Sequence, residues 1–510
     1  MGILDNFRKD KENLATTRGF YFGAPEAEGE NKDGIQNLVA YFDDYLGILE
    51  QLYHERFIFT GRKGVGKSAI AKFIKDKSDR ADDSYAQLIP SHEYDLENLI
   101  QIGDLQNELN HEAIFFEWLI LVNLIKLIVK NESGKRSEGY EKLKKFIERN
   151  SGIVDIDQYQ IQEIIVKKKY EASFKVLRHV FDGVFGKYFD TKTHKAPFYK
   201  LIPPLREVVK KVIKYPVNVD KEFWLLFDDL DIGFSKNDIS SNKKITELIR
   251  IAKKYNTDIL KGTNTKVLIF IRDDIKKLIE TKTSDTSKIF LSYEIHINWY
   301  DHDQFRQSEN SIPLKRFINK RIGQNFLANK ISFDDKDPWS SLFQESFKDY
   351  NNKSSFKYVI DFTSYRPRDL ITFLMRVGQN DYTFPLEPRN VKELLISYID
   401  NNISEIKNEL SLHFDSREVE LLFMEVFPFI AENPDINYMR LHNEIDSLKF
   451  SLDSGKIIEI LYYYSLLAYK DLETGRLYFH YRENPTFHTY DKQKMSITLP
   501  KLIYHHYMKI

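Results

Sequence analysis

The amino-acid sequence predicts an α/β fold in which a parallel sheet carries a large helical insertion and is followed by further helical regions. The first observation is a set of short strand-like runs, two of them (223–227 and 267–271) entirely apolar, that alternate with helical patterns, as in a buried, doubly wound sheet. These runs are residues 57–60, 85–90, 223–227, 267–271 and 293–297. The second observation lies between the second and third runs, where residues 104–214 show helical periodicity almost throughout.

The composition fits a large folded protein and excludes several other classes. The chain has 510 residues, of which 42% are hydrophobic and 14% aromatic, enough for about three domains with sizeable cores. With 75 Lys and Arg against 76 Asp and Glu, the formal net charge is −1, which excludes a uniformly basic nucleic-acid coat. The absence of cysteine excludes disulfides, zinc–cysteine sites and thiol catalysis.

The most apolar stretch, residues 113–129, is predicted to be a buried helix. A membrane span needs about 20 apolar residues with few charges, whereas this stretch contains Glu117, Asn123 and Lys126. The N-terminal residues contain no apolar run of signal-peptide length. We therefore expect a soluble, cytoplasmic protein without membrane contact.

Helical periodicity and strand-like runs together divide the chain into three predicted domains. The predicted helices outside the C-terminal region are 33–56, 67–77, 160–181, 207–214, 243–255, 314–322, 368–377 and 391–410. Three further helices, 417–431, 438–448 and 456–468, precede two strand-like runs, 476–481 and 496–499, an order that favours a winged helix. The predicted domains are the sheet domain 1–325, a helical region 326–404 and a winged-helix-like domain 405–510.

Residues 61–68 match the phosphate-binding motif G-x-x-x-x-G-K-[ST] in full. Glycines let such a loop curl, so that successive backbone N–H groups point at a phosphate beside the positive end of the following helix. Lys67 would reach the β- and γ-phosphates, and Ser68 would offer a hydroxyl to Mg²⁺. The alternative is a chance glycine-rich turn, but the apolar run before the loop and the helix after it favour a phosphate site. The predicted phosphate-binding set is Gly61, Arg62, Lys63, Gly64, Val65, Gly66, Lys67, Ser68 and Ala69.

The acidic end of the run 223–227 is the second candidate element. Asp228 and Asp229 follow this run directly, and the carboxyl ends of parallel strands are where such folds bind ligands. Asp228 is predicted to hold Mg²⁺, and Asp229 is predicted to polarise the attacking water. The alternative is a solvated turn after a core strand.

Three arginines are candidates for contact with nucleotide phosphates. Arg272 follows the run 267–271, from where it would stabilise charge on the transferred phosphoryl group; alternatively it pairs with Asp273, Asp274 or a helix terminus. Arg366 and Arg368 flank Pro367, which suits the first turn of a helix. Each of them either reaches a phosphate or is a surface charge.

These motifs resemble those of the AAA+/STAND supergroup of P-loop ATPases, and most closely the bacterial KAP-like and FunZ-type ATPases, several of which occur in anti-phage defence loci. The resemblance rests on GRKGVGKSAI at 61–70, WLLFDDLDIGF at 224–234, VLIFIRDDI at 267–275, YRPRDLITFL at 365–374 and FYFGAPEAEGE at 20–30.

The resemblance implies ATP and Mg²⁺ as ligands and assigns roles to the candidate residues. Asp228 and Asp229 correspond to the Walker B pair, Arg272 to sensor 1, and Arg366 or Arg368 to sensor 2 in a helical lid at 326–404. The resemblance also implies that residues 20–30 touch the base and that a winged helix packs near the nucleotide. No guanine-specific motif is present, so the choice of ATP over GTP rests on the resemblance.

Two features depart from the family pattern. Ser68 and Asp228 are 160 residues apart, which makes the stretch near 104–215 an insertion. Lys288 is the only cationic residue just before the last apolar run, so the arginine finger of a closed ring has no obvious holder; Arg316 and Arg321 are substitutes.

The charge distribution indicates where a partner could bind. Residues 104–215 contain 21 Lys and Arg against 15 Asp and Glu, so this insertion either grips nucleic-acid phosphates or presents a solvated helix face. Residues 405–510 contain 12 basic and 16 acidic residues, which favours packing against protein. The expected partners are therefore ATP, a protein or a second copy of the chain, and nucleic acid through 104–215.

Three functions follow from the sequence. The first is a Mg²⁺-dependent ATPase that works as a switch or motor in bacterial anti-phage defence. The second is a scaffold that binds nucleotide with negligible turnover, which the missing arginine finger favours. The third is an AAA+ DNA loader or repair ATPase, which requires the insertion to bind DNA.

Overall fold

The structure, a computed structural model, describes most of the chain. The described residues are 16–30, 37–90, 111–137, 139–149, 171–173, 195–197, 202–230, 239–282, 284–300, 308–345, 354–482 and 495–508. They form two compact units, which we describe separately. The sheet unit comprises Gly47–Lys63 and Lys67–Ile297, and the helical unit comprises Met1–Leu46, Gly64–Gly66 and Asn298–Ile510. The three predicted domain boundaries stay a prediction.

The sheet unit is built on a five-stranded parallel sheet, which is the α/β architecture that the sequence predicts. The strands of this unit are β1 (Ile58–Gly61), β2 (Ser84–Pro90), β3 (Glu171–Ser173), β4 (Lys195–Pro197), β5 (Glu222–Asp228), β6 (Lys266–Arg272) and β7 (Glu294–His296). The central sheet has the order β2–β5–β6–β1–β7, and every neighbouring pair in it is parallel. β3 and β4 form a separate antiparallel pair.

The apolar runs of the sequence become strands because helices and neighbouring strands bury them. Residues 223–227 and 267–271 are buried throughout, so these strands lack the alternation of polar and apolar residues seen in half-exposed sheets. The register aligns Gly61 with Arg272 and Phe227 with Ile269. The carboxyl ends of β1, β6 and β5 therefore meet at one edge of the sheet.

Seven helices of the sheet unit surround these strands in the described part of the chain. They are α1 (Lys67–Ser78), α2 (His111–Lys130), α3 (Tyr140–Arg149), α4 (Ile202–Ile213), α5 (Ile239–Lys254), α6 (Asp273–Lys282) and α7 (Ser284–Tyr293). The apolar stretch 113–129 lies within α2, which packs on β2, β5, α4 and α5. Its Glu117 pairs with Arg206 and Lys254, which explains a charge in this buried helix. No described helix is long and apolar enough to span a membrane.

The helical unit has one continuous hydrophobic core, which extends from Phe20 to Ile503. Its longer helices are α8 (Pro313–Ala328), α9 (Pro338–Leu342), α10 (Ser355–Ile360), α11 (Pro367–Leu374) and α12 (Pro388–Leu410). Four of these five helices begin with proline, whose fixed φ and missing N–H suit the first helical position.

The C-terminal part of the helical unit combines helices with a small antiparallel sheet. The helices are α13 (Ser416–Leu421), α14 (Phe427–Glu432), α15 (Tyr438–Ser447), α16 (Ser454–Tyr463) and α17 (Lys501–Met508). The strands are β8 (Ala468–Asp471), β9 (Leu477–Tyr478) and β10 (Met495–Thr498), in the order β10–β8–β9. The winged-helix assignment of this region stays a prediction.

Several predicted elements differ from the observed ones. The helix predicted at 33–56 is wrong, because its described part contains only the short helix Leu38–Tyr41 and the 3₁₀ turn Glu50–Tyr53. The helix predicted at 160–181 includes strand β3, and its remaining residues lie outside the described part. The predicted helix 456–468 ends at Tyr463, before β8, and the predicted strand 476–481 ends at Tyr478 and gives way to the 3₁₀ turn His480–Arg482.

Candidate nucleotide-binding site

The predicted phosphate-binding loop connects β1 to α1, as its motif requires. Gly64 and Gly66 have φ angles of 80° and 101°, a region that glycine enters without steric cost. Val65 is buried, whereas Arg62, Lys63 and Ala69 are partly exposed. These φ values let the loop curl and place Lys67 at the start of α1.

The Lys67 ammonium folds back onto the first part of the loop. Its Nζ donates to the carbonyl oxygen of Gly61 at 2.9 Å and to that of Arg62 at 3.1 Å. Carbonyls are neutral acceptors, so an incoming phosphate oxygen would be a stronger partner for the ammonium. The lysine is thus held beside the loop in a position from which it can exchange carbonyl oxygens for phosphate.

Ser68 and Asp228, the two predicted Mg²⁺ ligands, are joined directly. The Ser68 hydroxyl donates a hydrogen bond to the buried Asp228 carboxylate. The pKa of Asp228 is raised to about 7, mainly by burial and also by the nearby Asp229 carboxylate, while the Ser68 hydrogen bond and the Lys67 charge act in the opposite direction. The structure therefore brings Lys67 and Ser68 close to Asp228, which lies 160 residues after Ser68 in the sequence.

Asp229 has an unusual backbone conformation at the end of β5. Its φ is 55°, in the left-handed region that Asp tolerates better than most residues but still enters at some cost. The turn places two successive carboxylates, Asp228 and Asp229, within electrostatic reach of each other. Backbone strain of this kind concentrates at functional sites.

Arg272 lies at the end of β6, beside Gly61 in the sheet register. Its guanidinium donates to both carboxylate oxygens of Asp274, from Nε at 3.1 Å and from Nη2 at 2.5 Å. This is the pairing that the sequence left open as the alternative to phosphate contact. A nucleotide role for Arg272 would require it to leave a bidentate ion pair.

Asp273 is a site residue that sequence reasoning considered only as a partner for Arg272. Lys67, His296 and Lys276 lower its pKa, but burial, the larger effect, raises it. Its Oδ1 lies 3.6 Å from His296 Nδ1 and is buried without a hydrogen-bond partner. The sequence signal is its position directly after an apolar strand, the same signal that identified Asp228.

Arg366 and Arg368, in the helical unit, lie against Gly64 of the loop, which belongs to the same unit. A Cβ atom on Gly64 would lie 3.2 Å from the Arg368 Cβ and 3.5 Å from the Arg366 Cδ. Arg366 is buried and donates to Asp369 and Glu409. Arg368 donates to the Pro25 carbonyl at 2.9 Å and pairs with Glu405 at 3.3 Å. Neither is a free surface charge, and Arg368 has the weaker carboxylate contacts.

The two arginines considered as finger substitutes differ in accessibility. Arg321 is buried, pairs with Glu30 at 2.9 Å and stacks over the Tyr41 ring at 4.5 Å. It also donates to the Phe22 carbonyl, so it anchors the segment 20–30 and is not available to a neighbouring molecule. Arg316 is exposed and lies over the Tyr45 ring.

The basic insertion is only partly described. Lys167, Lys168 and Lys169 lie outside the described residues. Of the described lysines, Lys210 pairs with Asp258 at 3.3 Å. Within the described ranges no cluster of three or more His, Cys, Asp or Glu side chains could hold a metal ion.

One segment of the chain matches a known protein family. Residues 313–382 match the family model described as the FunZ-associated C-terminal helical domain. This segment contains α8 to α11 and includes Arg366 and Arg368. No curated protein matches the chain. A Walker-type ATPase of Pyrococcus abyssi is similar at 11% identity with a TM-score of 0.39, over 92% of this chain and 95% of that chain.

The family match and the sheet support the coarser part of the sequence prediction. The parallel sheet with its phosphate-loop motif fits an α/β P-loop NTPase fold, and the segment 313–382 is similar to a FunZ-associated domain. The AAA+/STAND and KAP-like subtypes stay predictions.

Proposed function

We propose that this chain is a Mg²⁺-dependent P-loop ATPase whose nucleotide state acts as a switch. The observation that carries the proposal is the hydrogen bond from Ser68 to Asp228, with the Lys67 charge acting on the same carboxylate. A loop hydroxyl, a strand-end carboxylate and a loop lysine are the groups that P-loop NTPases use around a nucleotide phosphate.

The donor set fits Mg²⁺, which prefers hard oxygen ligands and keeps several of its waters. Ser68 and the Asp228 carboxylate would hold the ion, and Mg²⁺ when bound neutralises charge on the phosphate oxygens. Ionised Asp228 is costly in its buried position, so a divalent cation would stabilise the charged form. This compensation gives the buried carboxylate a physical reason to be there.

The remaining residues would position the reactants. Lys67 would exchange the carbonyls of Gly61 and Arg62 for phosphate oxygens, and the loop N–H groups would bind the same phosphates. Asp229 would accept a hydrogen bond from the attacking water and orient it in line with the γ-phosphate.

Replacement of Lys67 tests this proposal. We expect Lys67→Ala and Asp229→Asn each to lower the ATP hydrolysis rate by about 100-fold or more, because each removes an interaction with the transferred phosphoryl group or the water. Lys75→Ala is the matched control, since Lys75 lies on the same helix and pairs with the exposed Asp79. Hydrolysis by Lys67→Ala at the wild-type rate would refute the enzymatic part of the proposal.

A slowly turning-over nucleotide scaffold is the second candidate. The observation that favours it is that Arg272, Arg366 and Arg321 all have carboxylate partners. None of them is ready to neutralise charge on a transferred phosphoryl group without breaking its ion pair. Single-turnover kinetics distinguish the two functions, because a scaffold would bind ATP and release it unhydrolysed.

The FunZ-type resemblance and the match at 313–382 support our proposal that the switch serves bacterial anti-phage defence. The test is the efficiency of phage plating on cells that express the wild-type chain together with its genomic neighbours. We expect protection by the wild type and none by Lys67→Ala. Equal plating on both strains would remove the defence role while leaving the ATPase intact.

A further inference from the structure

The tip of the phosphate-binding loop is held by two polar contacts within the helical unit. Gly64–Gly66 belongs to this unit together with 298–510. The Trp299 indole Nε1 donates to the Val65 carbonyl at 2.8 Å. On the other side of the tip, the Arg368 backbone N–H donates to the Gly64 carbonyl at 3.4 Å. Both contacts are made to backbone carbonyls of the loop, so they constrain the path of its backbone independently of the loop's own side chains.

The residues next to these two contacts pack together against the C-terminal region. Tyr300 follows Trp299, and Tyr365 precedes the Arg366–Arg368 segment. Their rings meet edge to face with centroids 5.1 Å apart, and the Tyr365 ring stacks on Tyr481 at 5.4 Å. The two routes from the loop tip therefore converge on one aromatic cluster.

A single cation occupies the centre of this cluster. The Arg482 guanidinium lies 5.6 Å from the Tyr300 ring, 5.2 Å from Tyr365, 4.7 Å from Phe479 and 5.3 Å from Tyr481. Its Nε also donates to the Tyr481 hydroxyl at 3.1 Å. We call these five residues the Arg482 box. Two of them, Tyr300 and Tyr365, adjoin the contacts to the loop, and three belong to the C-terminal region.

Two features distinguish the Arg482 box from ordinary core packing. Four aromatic rings surround the Arg482 guanidinium, and the charge of Asp361, which pairs with Lys501 at 2.9 Å, also acts on it. Tyr365 is buried and has a φ of 56°, a conformation that a bulky residue adopts only under external constraint. The box supplies this constraint immediately before the segment that contacts Gly64.

We propose that Arg482 is a positioning residue for the phosphate-binding loop. Arg482 acts through Tyr300 and Tyr365 and couples the C-terminal region to the nucleotide site. This inference rests on the proposed function only in taking a Mg²⁺–nucleotide as the ligand of the loop. Because coupling between two sites is reciprocal, a ligand that fixes the loop tip also stabilises the box, and a partner that displaces Arg482 loosens the loop.

Hydrogen exchange in the nucleotide-free protein tests the structural half of the inference. We expect Arg482→Ala to increase exchange of the amides at 62–68 by about fivefold, and Arg482→Lys, which keeps a cation in the box, to restore part of the protection. Arg476→Ala is the matched control, because Arg476 lies over the Tyr478 ring in the same region but outside the box. Unchanged exchange at 62–68 in folded Arg482→Ala would overturn the inference.

Trp299→Phe provides a second test that leaves Arg482 in place. The substitution removes the hydrogen bond to the Val65 carbonyl but keeps an aromatic ring, so we expect increased exchange at 62–68 with little change in the melting temperature. If Arg482→Ala fails to fold, this variant still tests the loop contact, and the exchange at 62–68 in Arg482→Lys tests the role of Arg482. Wild-type exchange in Trp299→Phe would contradict the role of the loop contact.

Titration with Mg²⁺–ADP tests the functional half. We expect Arg482→Ala to raise the Kd by about fivefold, and Arg476→Ala to leave it unchanged. If the wild type does not bind Mg²⁺–ADP, the proposed function fails, and the exchange experiment still decides whether Arg482 positions the loop. If the wild type binds and Arg482→Ala binds equally well, the coupling is wrong and the nucleotide site stands.

Discussion

At the scale of single residues, Asp228 is a buried carboxyl group whose pKa is strongly raised. It is buried at the end of β5, accepts a hydrogen bond from Ser68 and lies near the second carboxylate of Asp229. Burial and the neighbouring charge both favour its protonated form, so the end of β5 carries a carboxyl group with a pKa of about 7. A carboxyl poised in this way would respond strongly to a bound cation.

The Asp228 pKa predicts how stability depends on pH. The pKa is about 7 in the folded chain and 3.8 as the ordinary value, so between these pH values the folded state holds a proton that the unfolded state has lost. The stabilisation is complete below pH 4 and is lost as pH rises through 7, by at most about 1.4 kcal/mol per pH unit. Urea unfolding at several pH values in Mg²⁺-free buffer measures this loss.

Asp228→Asn is the comparison that isolates this effect from other titrating groups. An amide does not ionise, so the variant should gain stability relative to wild type as pH rises from 5 to 8. Adding Mg²⁺–nucleotide at pH 8 should stabilise the wild type more than Asp228→Asn. A free-energy difference between the two proteins that is the same at pH 5 and pH 8 would contradict the assigned pKa.

At the scale of elements, α2 shows how an apolar helix accommodates a charge. The Glu117 carboxylate contacts three groups. These are Arg206 on α4, the Lys254 Nζ on α5 at 3.1 Å, and the Tyr255 hydroxyl just beyond α5. The Glu117 side chain is 10% exposed, so its carboxylate links three elements around the core. This network identifies α2 as an interior helix of the sheet unit.

Glu117→Gln should destabilise the protein by about 2 kcal/mol, because it leaves the partly exposed cations of Arg206 and Lys254 facing a neutral, largely buried side chain. Glu112→Gln is the matched control on the same helix. Glu112 pairs with Lys243, which is 55% exposed, and exposed pairs contribute less than about 1 kcal/mol. Equal unfolding free energies for the two variants in urea would show that Glu117 is not a network centre.

At the scale of the whole molecule, the parts that sequence reasoning predicted are those fixed by local patterns. The central strands β5 and β6 contain unbroken runs of five apolar residues, whose short length favours buried strands, and the loop motif specifies its own backbone. The helix predicted at 33–56 failed because an apolar stripe does not distinguish one long helix from short turns that tertiary contacts stabilise. The proximity of Asp273 to Lys67 and His296, and the contact of Arg366 with Glu409, depend on residues that folding brings together.

The uneven charge of the chain makes a prediction about nucleic acid. If DNA binds, its phosphates should contact the insertion 104–215, which carries a net positive charge. Charge reversal of Lys167, Lys168 and Lys169 to Glu should then abolish binding at low salt, whereas reversal of Lys492 and Lys494 in the acidic C-terminal region should not. Absence of wild-type binding at low salt, in a salt-titrated filter assay, would remove the DNA-loader function.

The central claim is that the loop 61–68 and the end of β5 bind one Mg²⁺–nucleotide, and titration calorimetry tests it most directly. We predict that wild-type protein binds one equivalent of Mg²⁺–ADP, and that Lys67→Ala and Asp228→Asn each weaken binding by about tenfold or more. Absence of binding heat with Mg²⁺–ADP and Mg²⁺–ATP in folded wild-type protein, or equal affinity in all three proteins, would contradict the claim.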